Sequence, residues 1–195
     1  ELGLFGLPFP EDVGGQGGDL VALCLAVEAL ARVDQSIAIT LEAAVSLGAM
    51  PVHRFGSEEQ RQELLPDLVA GRALAGFGLT EPEAGSDAGA TRTTARLEGD
   101  EWVIDGAKQF ITNSGTPITR FVTVTAVTGE RDGRKEISTL IVPSGTPGFT
   151  VGPAYDKVGW HASDTHPLVF DGVRVPEQNL LGERGRGFAA FLNIL

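Results

Sequence analysis

The sequence predicts an α+β chain of more than one domain, with an α-helical part first, an antiparallel β-sandwich or barrel next, and a further helix opening at the end. Three observations carry this. Apolar residues recur at helical spacing up to about residue 65. From Ala73 to about Val175 they fall instead in short runs broken by turn residues. From Gly187 to Leu195 (GFAAFLNIL) an apolar-faced helix begins again.

The elements follow in order. After a Gly/Pro-rich opening, Asp19 reads as the N-cap of a first helix in which Leu20, Leu23, Cys24, Val27, Leu30 and Ala31 recur at helical spacing. Their density predicts a buried helix. Cys24, the only cysteine, is expected there as a small apolar core residue, and no disulfide can form within the chain. Ser36 reads as the cap of a second helix to about Phe55, stopped by Gly56 and weakened by Gly48 and Pro51, with a break expected near Met50. Ser57-Glu58-Glu59-Gln60 has capping-box form and opens a third helix that should end near Leu65, before Pro66.

In the β part, Thr94 to Leu97 and Trp102 to Ile104 flank Glu98-Gly99-Asp100-Glu101 as a hairpin. Phe121 to Val127, Ile137 to Val142 and Leu168 to Val175 read as further strands, with Gly129 to Lys135 as a polar tip. Trp160 is expected to pack near the sheet's end. The boundaries that follow are 1–72, 73–177 and 178–195.

Composition narrows the function classes. With 42% hydrophobic and 21% charged residues, 195 residues can bury a real core. A net charge of -11 with no cationic stripe argues against nucleic acid and anionic membranes as partners. No apolar run reads as long enough to span a bilayer. One cysteine suggests a reducing compartment. The chain opens at Glu1 without an initiator methionine or signal core and ends in an uncapped apolar helix, so it is read as a piece of something longer.

Two segments could carry chemistry. Phe77-Gly78-Leu79-Thr80-Glu81-Pro82-Glu83-Ala84-Gly85-Ser86-Asp87 is a strand ending in a loop of small and polar residues. Its glycines let backbone N–H groups approach a ligand, and Thr80 and Ser86 offer hydroxyls. Local composition alone favours a plain β-turn, with Ser86 or Asp87 bonding its own backbone. In Gly106 to Gly115, Phe110 could wall a flat heteroaromatic ring and Thr112 could donate to it. An ordinary strand with Phe110 in the core is the alternative. His53, His161 and His166 have no metal-ligand spacing and read as surface or strand-edge residues. Glu81 reads as a loop anchor, and Glu83 as solvated.

Taken together and in order, these segments resemble the acyl-CoA dehydrogenase family. Its aromatic-x-x-Thr-Glu-Pro-x-Ala-Gly-Ser-Asp loop is matched by Phe77 to Asp87, and its aromatic-Ile-Thr-Asn segment by Phe110 to Asn113. Gly14-Gly15-Gln16-Gly17, Arg54 to Gln60, Ser163-Asp164-Thr165 and Val173 through Glu183 agree as well.

The resemblance implies an incomplete N-terminal helical domain, a middle β domain and the truncated start of a C-terminal helical bundle. It implies FAD lined by Phe77, Leu79 and Thr80, with Thr80 at the pyrimidine end. Phe110 and Ile111 are expected against the ring and Thr112 near N5, while Gly85 and Ser86 meet the CoA part of the substrate. It further implies acyl-CoA α,β-dehydrogenation, electron-transferring flavoprotein as acceptor, a tetramer or dimer, and a bacterial-type cytoplasmic or mitochondrial matrix setting. No glutamate of this chain aligns with the family's catalytic base, which is expected beyond Leu195, so the chain alone should bind FAD weakly or not at all and turn over no acyl-CoA. Many relatives have tryptophan at the position of Phe110, which puts the acceptor in doubt. An oxidase, acting on acyl-CoA or a nitroalkane, a non-catalytic flavin-binding or DNA-protecting relative, and a ligand-free interaction module of helices plus sandwich are the other readings.

Overall fold

The structure, a computed structural model, describes residues 2–195. Asp19 caps α1 (Leu20–Ala31), its carboxylate accepting the Ala22 N–H at 2.9 Å. The helix is not buried as its composition suggested. Leu23 is its fully buried residue, whereas Leu20, Val21 and Leu25 are 56%, 64% and 61% exposed. Apolar residues surround the axis, so only one face can reach the core. Cys24 is exposed, which corrects its assignment to the interior.

The second helix is capped by Asp34 rather than Ser36. The Asp34 carboxylate accepts the Ser36 N–H at 2.7 Å, and α2 runs from Gln35 to Glu42. A π-helical stretch, Ala43–Ala49, then leads into α3 (Met50–Phe55). Pro51 has no N–H to give, and the wider turn ahead of it absorbs the missing bond, so the irregularity precedes Met50. Gln35–Phe55 is long and apolar enough to cross a membrane by length and composition, contrary to expectation, but 56% of its most apolar 18-residue stretch is buried inside the fold. It is a core helix: Leu41, Val45, Ala49 and Val52 all sit in the interior.

Ser57 and Gln60 form the capping box of α4 (Glu58–Val69), with both reciprocal bonds present. The helix passes through Pro66 instead of ending before it. A proline inside a helix costs about 3 kcal/mol, but Leu65, Leu68 and Val69 are buried, and each such burial contributes about 1.5–3 kcal/mol. The last turn therefore forms.

The strands are β1 (Leu74–Gly78), β2 (Thr94–Glu98), β3 (Glu101–Thr112), β4 (Thr119–Arg131), β5 (Arg134–Pro143), β6 (Phe149–Val151), β7 (Thr165–Pro176) and β8 (Leu180–Leu181). Their order is β6-β7-β3-β2-β4-β5-β8, with β1 added parallel to β4. The β2–β3 hairpin closes around Gly99, with Leu97 opposite Trp102. The β4–β5 tip is tighter than read: Asp132 and Gly133 both have positive φ, 53° and 71°, as a two-residue primed turn requires. The short β6 and β8 have no strong pattern of their own and were not anticipated.

A single bridge, Thr94 to Val127, joins the β7-β3-β2 half to the β4-β5 half. Trp102, Ile104, Leu168 and Phe170 of one half share a core with Val122, Val124, Leu140 and Val142 of the other, so the halves face each other. On its other side the sheet gives Phe121 and Ile141 to the helical core of Leu41, Val45, Leu65 and Leu68. Strand β4 is buried on both faces. A short α5 (Gly187–Leu192) closes the chain against β5, with Gly187 packed on the Ser138–Thr139 backbone.

Candidate cofactor cleft

The end of β1 is set first. All five residues of β1 are buried, and Thr123 and Thr125 of β4 donate hydroxyls to the Gly76 and Gly78 carbonyls. A side chain at Gly76 would come within 2.9 Å of Val122, so this approach needs glycine. Beyond Gly78 the chain folds into a tight Glu81–Ala84 turn, closed by backbone bonds in both directions.

The second wall is a bulge. Lys108 pairs with Leu168 and Ile111 with His166, so Gln109 and Phe110 together face Pro167. Phe110 takes φ 61°, a left-handed conformation uncommon for an aromatic residue. Its ring is thrown outward, 57% exposed, and rests against Tyr155 at 4.9 Å. This sets aside the alternative of an ordinary strand with Phe110 in the core. The Gln109 N–H donates to the Thr80 carbonyl at 2.9 Å, tying the bulge to the loop.

A cleft of about 240 Å³ lies between these walls, lined by Phe77, Leu79, Thr80, Phe110, Ile111 and Thr112, with Ala43 and Leu47 of the π-helical stretch opposite. All six residues expected at the flavin thus surround one hollow. Its volume falls below the roughly 300–1,000 Å³ of a complete small-molecule site, so it accommodates part of a ligand. None of its lining side chains ionises. The cleft can stack, hydrogen-bond and exclude water, and it supplies no acid or base from its own side chains. Gly85 and Ser86 are exposed on the same loop, outside the lining. A larger hollow of about 470 Å³, beside Asp12, His53 and Arg61, touches none of the expected residues.

The sequence reading missed what fixes the walls. Lys108 is wholly buried, its ammonium 2.7 Å from Glu81, 3.2 Å from the Leu79 carbonyl and 3.0 Å from the Thr125 hydroxyl. Glu81 also accepts the Arg92 and Thr93 N–H groups at 2.6 and 3.1 Å and the Thr91 hydroxyl. Burial pushes the Glu81 carboxyl up, but the Lys108 charge and these bonds outweigh it and hold it at about 2. Burial pulls Lys108 down to about 8 against the pull of Glu81. A lysine two residues before the exposed aromatic was the available signal. Glu81 anchors the loop as read, and Glu83 is exposed but paired with Arg92.

Behind the cleft, Asn113 (φ 58°) donates from Nδ2 to the Thr40 carbonyl at 3.2 Å, tying β3 to the helix that carries Ala43 and Leu47. Asp164 accepts the Gly115 N–H at 2.8 Å and contacts His166 at 2.7 Å, while Lys157 donates to the Ser163 carbonyl at 2.5 Å. The Ser163-Asp164-Thr165 motif therefore braces the turn after Thr112. His166 is part of that brace, His161 is exposed, and burial holds His53 below its usual range. Trp160 is half-exposed and bonds Gln35 at 3.3 Å, so it does not pack into the sheet. Among the described residues no group of three His, Cys, Asp or Glu is placed to hold a metal ion.

Residues 1–72 match the family model of the acyl-CoA dehydrogenase N-terminal domain, and residues 76–173 that of the middle domain. The chain belongs to the acyl-CoA dehydrogenase family. It is 52% identical to a probable acyl-CoA dehydrogenase of Bacillus subtilis, YngJ, over the whole of this chain and 51% of that protein. Butyryl-CoA dehydrogenase from Megasphaera elsdenii superposes with a TM-score of 0.92 at 44% identity, over 99% of this chain and 51% of the other. An acyl-CoA dehydrogenase from Bacillus anthracis, complexed with FAD, gives 0.90 at 40% identity, over 99% and 32%. The chain thus spans about half the length of the curated relatives it matches, 51% in the first case. Within the acyl-CoA dehydrogenase frame, the cleft lies where the middle β domain meets the helical one.

Proposed function

We propose that the cleft holds the ring system of FAD and that the whole protein dehydrogenates an acyl-CoA thioester to the enoyl-CoA. One observation carries the reading: six residues chosen from two separate sequence motifs line a single cleft. The donor set fits a flavin. Phe77, Leu79 and Ile111 provide flat apolar wall, Phe110 an exposed aromatic edge, and Thr80 and Thr112 hydroxyls for a ring with polar atoms on its rim.

When bound, FAD supplies the two-electron acceptor for the β-hydrogen of the acyl group. Thr80 and Thr112 orient the ring, the aromatic walls exclude water, and Ala43 and Leu47 offer an apolar surface suited to an acyl chain. Gly85 and Ser86, exposed beside the cleft, take the CoA portion. No cleft side chain can remove the α-proton, so we assign the base to sequence outside 1–195. Electron-transferring flavoprotein as acceptor, a dimer or tetramer as the working assembly, and domain boundaries of 1–72, 73–177 and 178–195 complete the proposal.

Titration of the chain with FAD, followed by quenching of flavin fluorescence, tests it. Weak saturable binding is expected, lowered about fivefold by Thr112→Val through loss of one hydrogen bond. No acyl-CoA turnover should accompany it. A whole protein that binds no flavin at any concentration would overturn the flavin reading. Oxygen consumption by the whole protein with acyl-CoA would replace the dehydrogenase with an oxidase.

A further inference from the structure

We propose that Glu81 and Lys108 are positioning residues that lock the two walls of the cleft together, setting Thr80 and the Phe110 bulge relative to one another. The inference rests on the flavin reading for its purpose, and on geometry alone for its mechanism.

The two residues sit one step from the groups they place: Glu81 follows Thr80, and Lys108 precedes the Gln109–Phe110 bulge. Their charges meet at 2.7 Å in the interior, with side chains 4% and 0% exposed. The Lys108 ammonium reaches back past Glu81 to the Leu79 carbonyl at 3.2 Å, so it holds the cleft-lining loop on both sides of Thr80. It also meets the Thr125 and Thr91 hydroxyls at 3.0 and 3.2 Å, which fixes it to β4 and to the segment before β2. Glu81 collects the Arg92 and Thr93 N–H groups from that segment. The lock closes with the Gln109 N–H on the Thr80 carbonyl at 2.9 Å, the direct bond between the walls.

An apolar pair of the same size could fill this space, and buried ion pairs often add nothing to stability over such a replacement. What an apolar pair cannot do is hold three carbonyl and hydroxyl oxygens at fixed directions. The pair's contribution is therefore geometric, and its loss should appear in the Thr80–Gln109 contact rather than in the fold.

Hydrogen exchange of the Gln109 amide, compared with the Val124 amide inside β4, reads this directly in the flavin-free chain. In Glu81→Gln and Lys108→Met the lone buried charge should lower the thermal midpoint, and the double variant should recover it. The double variant should still exchange Gln109 about tenfold faster than wild type, with Val124 unchanged, and should bind FAD about tenfold more weakly. In the wild-type chain, Gln109 protection corrected for intrinsic exchange should fall as pH rises through about 8, where Lys108 loses its proton, and Val124 protection should not. This arm needs no variant and decides the matter even where the variants do not fold. Gln109 protection that follows Val124 across that range, or returns fully in the double variant, overturns the proposal. Absence of FAD binding by the whole protein strikes the flavin reading and leaves the exchange result to judge the lock.

Discussion

The ring of Phe77 stacks on that of Phe191 at 3.8 Å with planes 20° apart, joining the end of β1 to α5. Phe191 is 1% exposed and Phe77 8%. The six residues of α5 are too few to hold a helix alone, so the helix is held in place by this stack, by the Gly187 contact and by the Arg54 guanidinium donating to the Asn193 carbonyl at 3.2 Å.

Phe191→Ala should therefore cost about 3–5 kcal/mol, the usual range for emptying a buried aromatic site. The loss should be accompanied by protease cleavage between residues 182 and 195. Denaturant unfolding with limited proteolysis checks both. An unchanged midpoint would mean that α5 is held by other contacts.

Asn113 offers a separate test of what joins helix to sheet. Its side chain bonds the Thr40 carbonyl while its backbone sits at φ 58°. Asn113→Gly loses the bond but keeps an easy backbone, at about 1 kcal/mol. Asn113→Ala loses the bond and adds left-handed strain of about 1–2 kcal/mol. Alanine should be the worse of the two in thermal melts, and equal losses would show that the turn relaxes.

Acid should weaken the fold through Glu81. Its folded-state carboxyl is held at about 2 against an ordinary 4.5. A depressed carboxyl contributes stability that is full above pH 4.5 and drains away as pH falls toward 2. Lys108 works on the opposite side: with its folded value near 8 against 10.5, the unfolded chain binds more protons in that window, so stability against unfolding rises there. Glu81→Gln should flatten the acid limb of a stability-against-pH curve. An acid limb identical in wild type and Glu81→Gln would assign the loss to other carboxylates.

Legibility in the sequence followed the range of the interactions. Asp19, the Ser57–Gln60 capping box and the Gly99 hairpin were readable because each is settled within four residues. Pro66 misled because the burial that carries α4 past it involves a core assembled from distant segments. The exposure of α1 and Cys24 was invisible for the same reason: composition gives apolar faces but not which one is covered. At the cleft, the motifs named six of the lining residues but not Ala43 or Leu47, whereas Lys108 and the backbone of Phe110 belong to a bulge that exists only once β3 pairs with β7.

Phe110 combines strain with exposure, and substitutions can separate the two. A non-glycine residue at φ 61° carries about 1–2 kcal/mol of strain, and its contact with the Tyr155 ring returns about 0.5–1.5 kcal/mol. Phe110→Gly should therefore leave the denaturant midpoint within about 1 kcal/mol of wild type, because relief and loss offset. Phe110→Val keeps the strained backbone, worsens it by β-branching and loses the ring, so it should be clearly destabilised. FAD affinity should fall in both, since both remove the aromatic edge. If valine were as stable as glycine, the bulge would have relaxed to an ordinary strand, and the exposed ring would owe its position to the ring itself rather than to the register of β3 on β7.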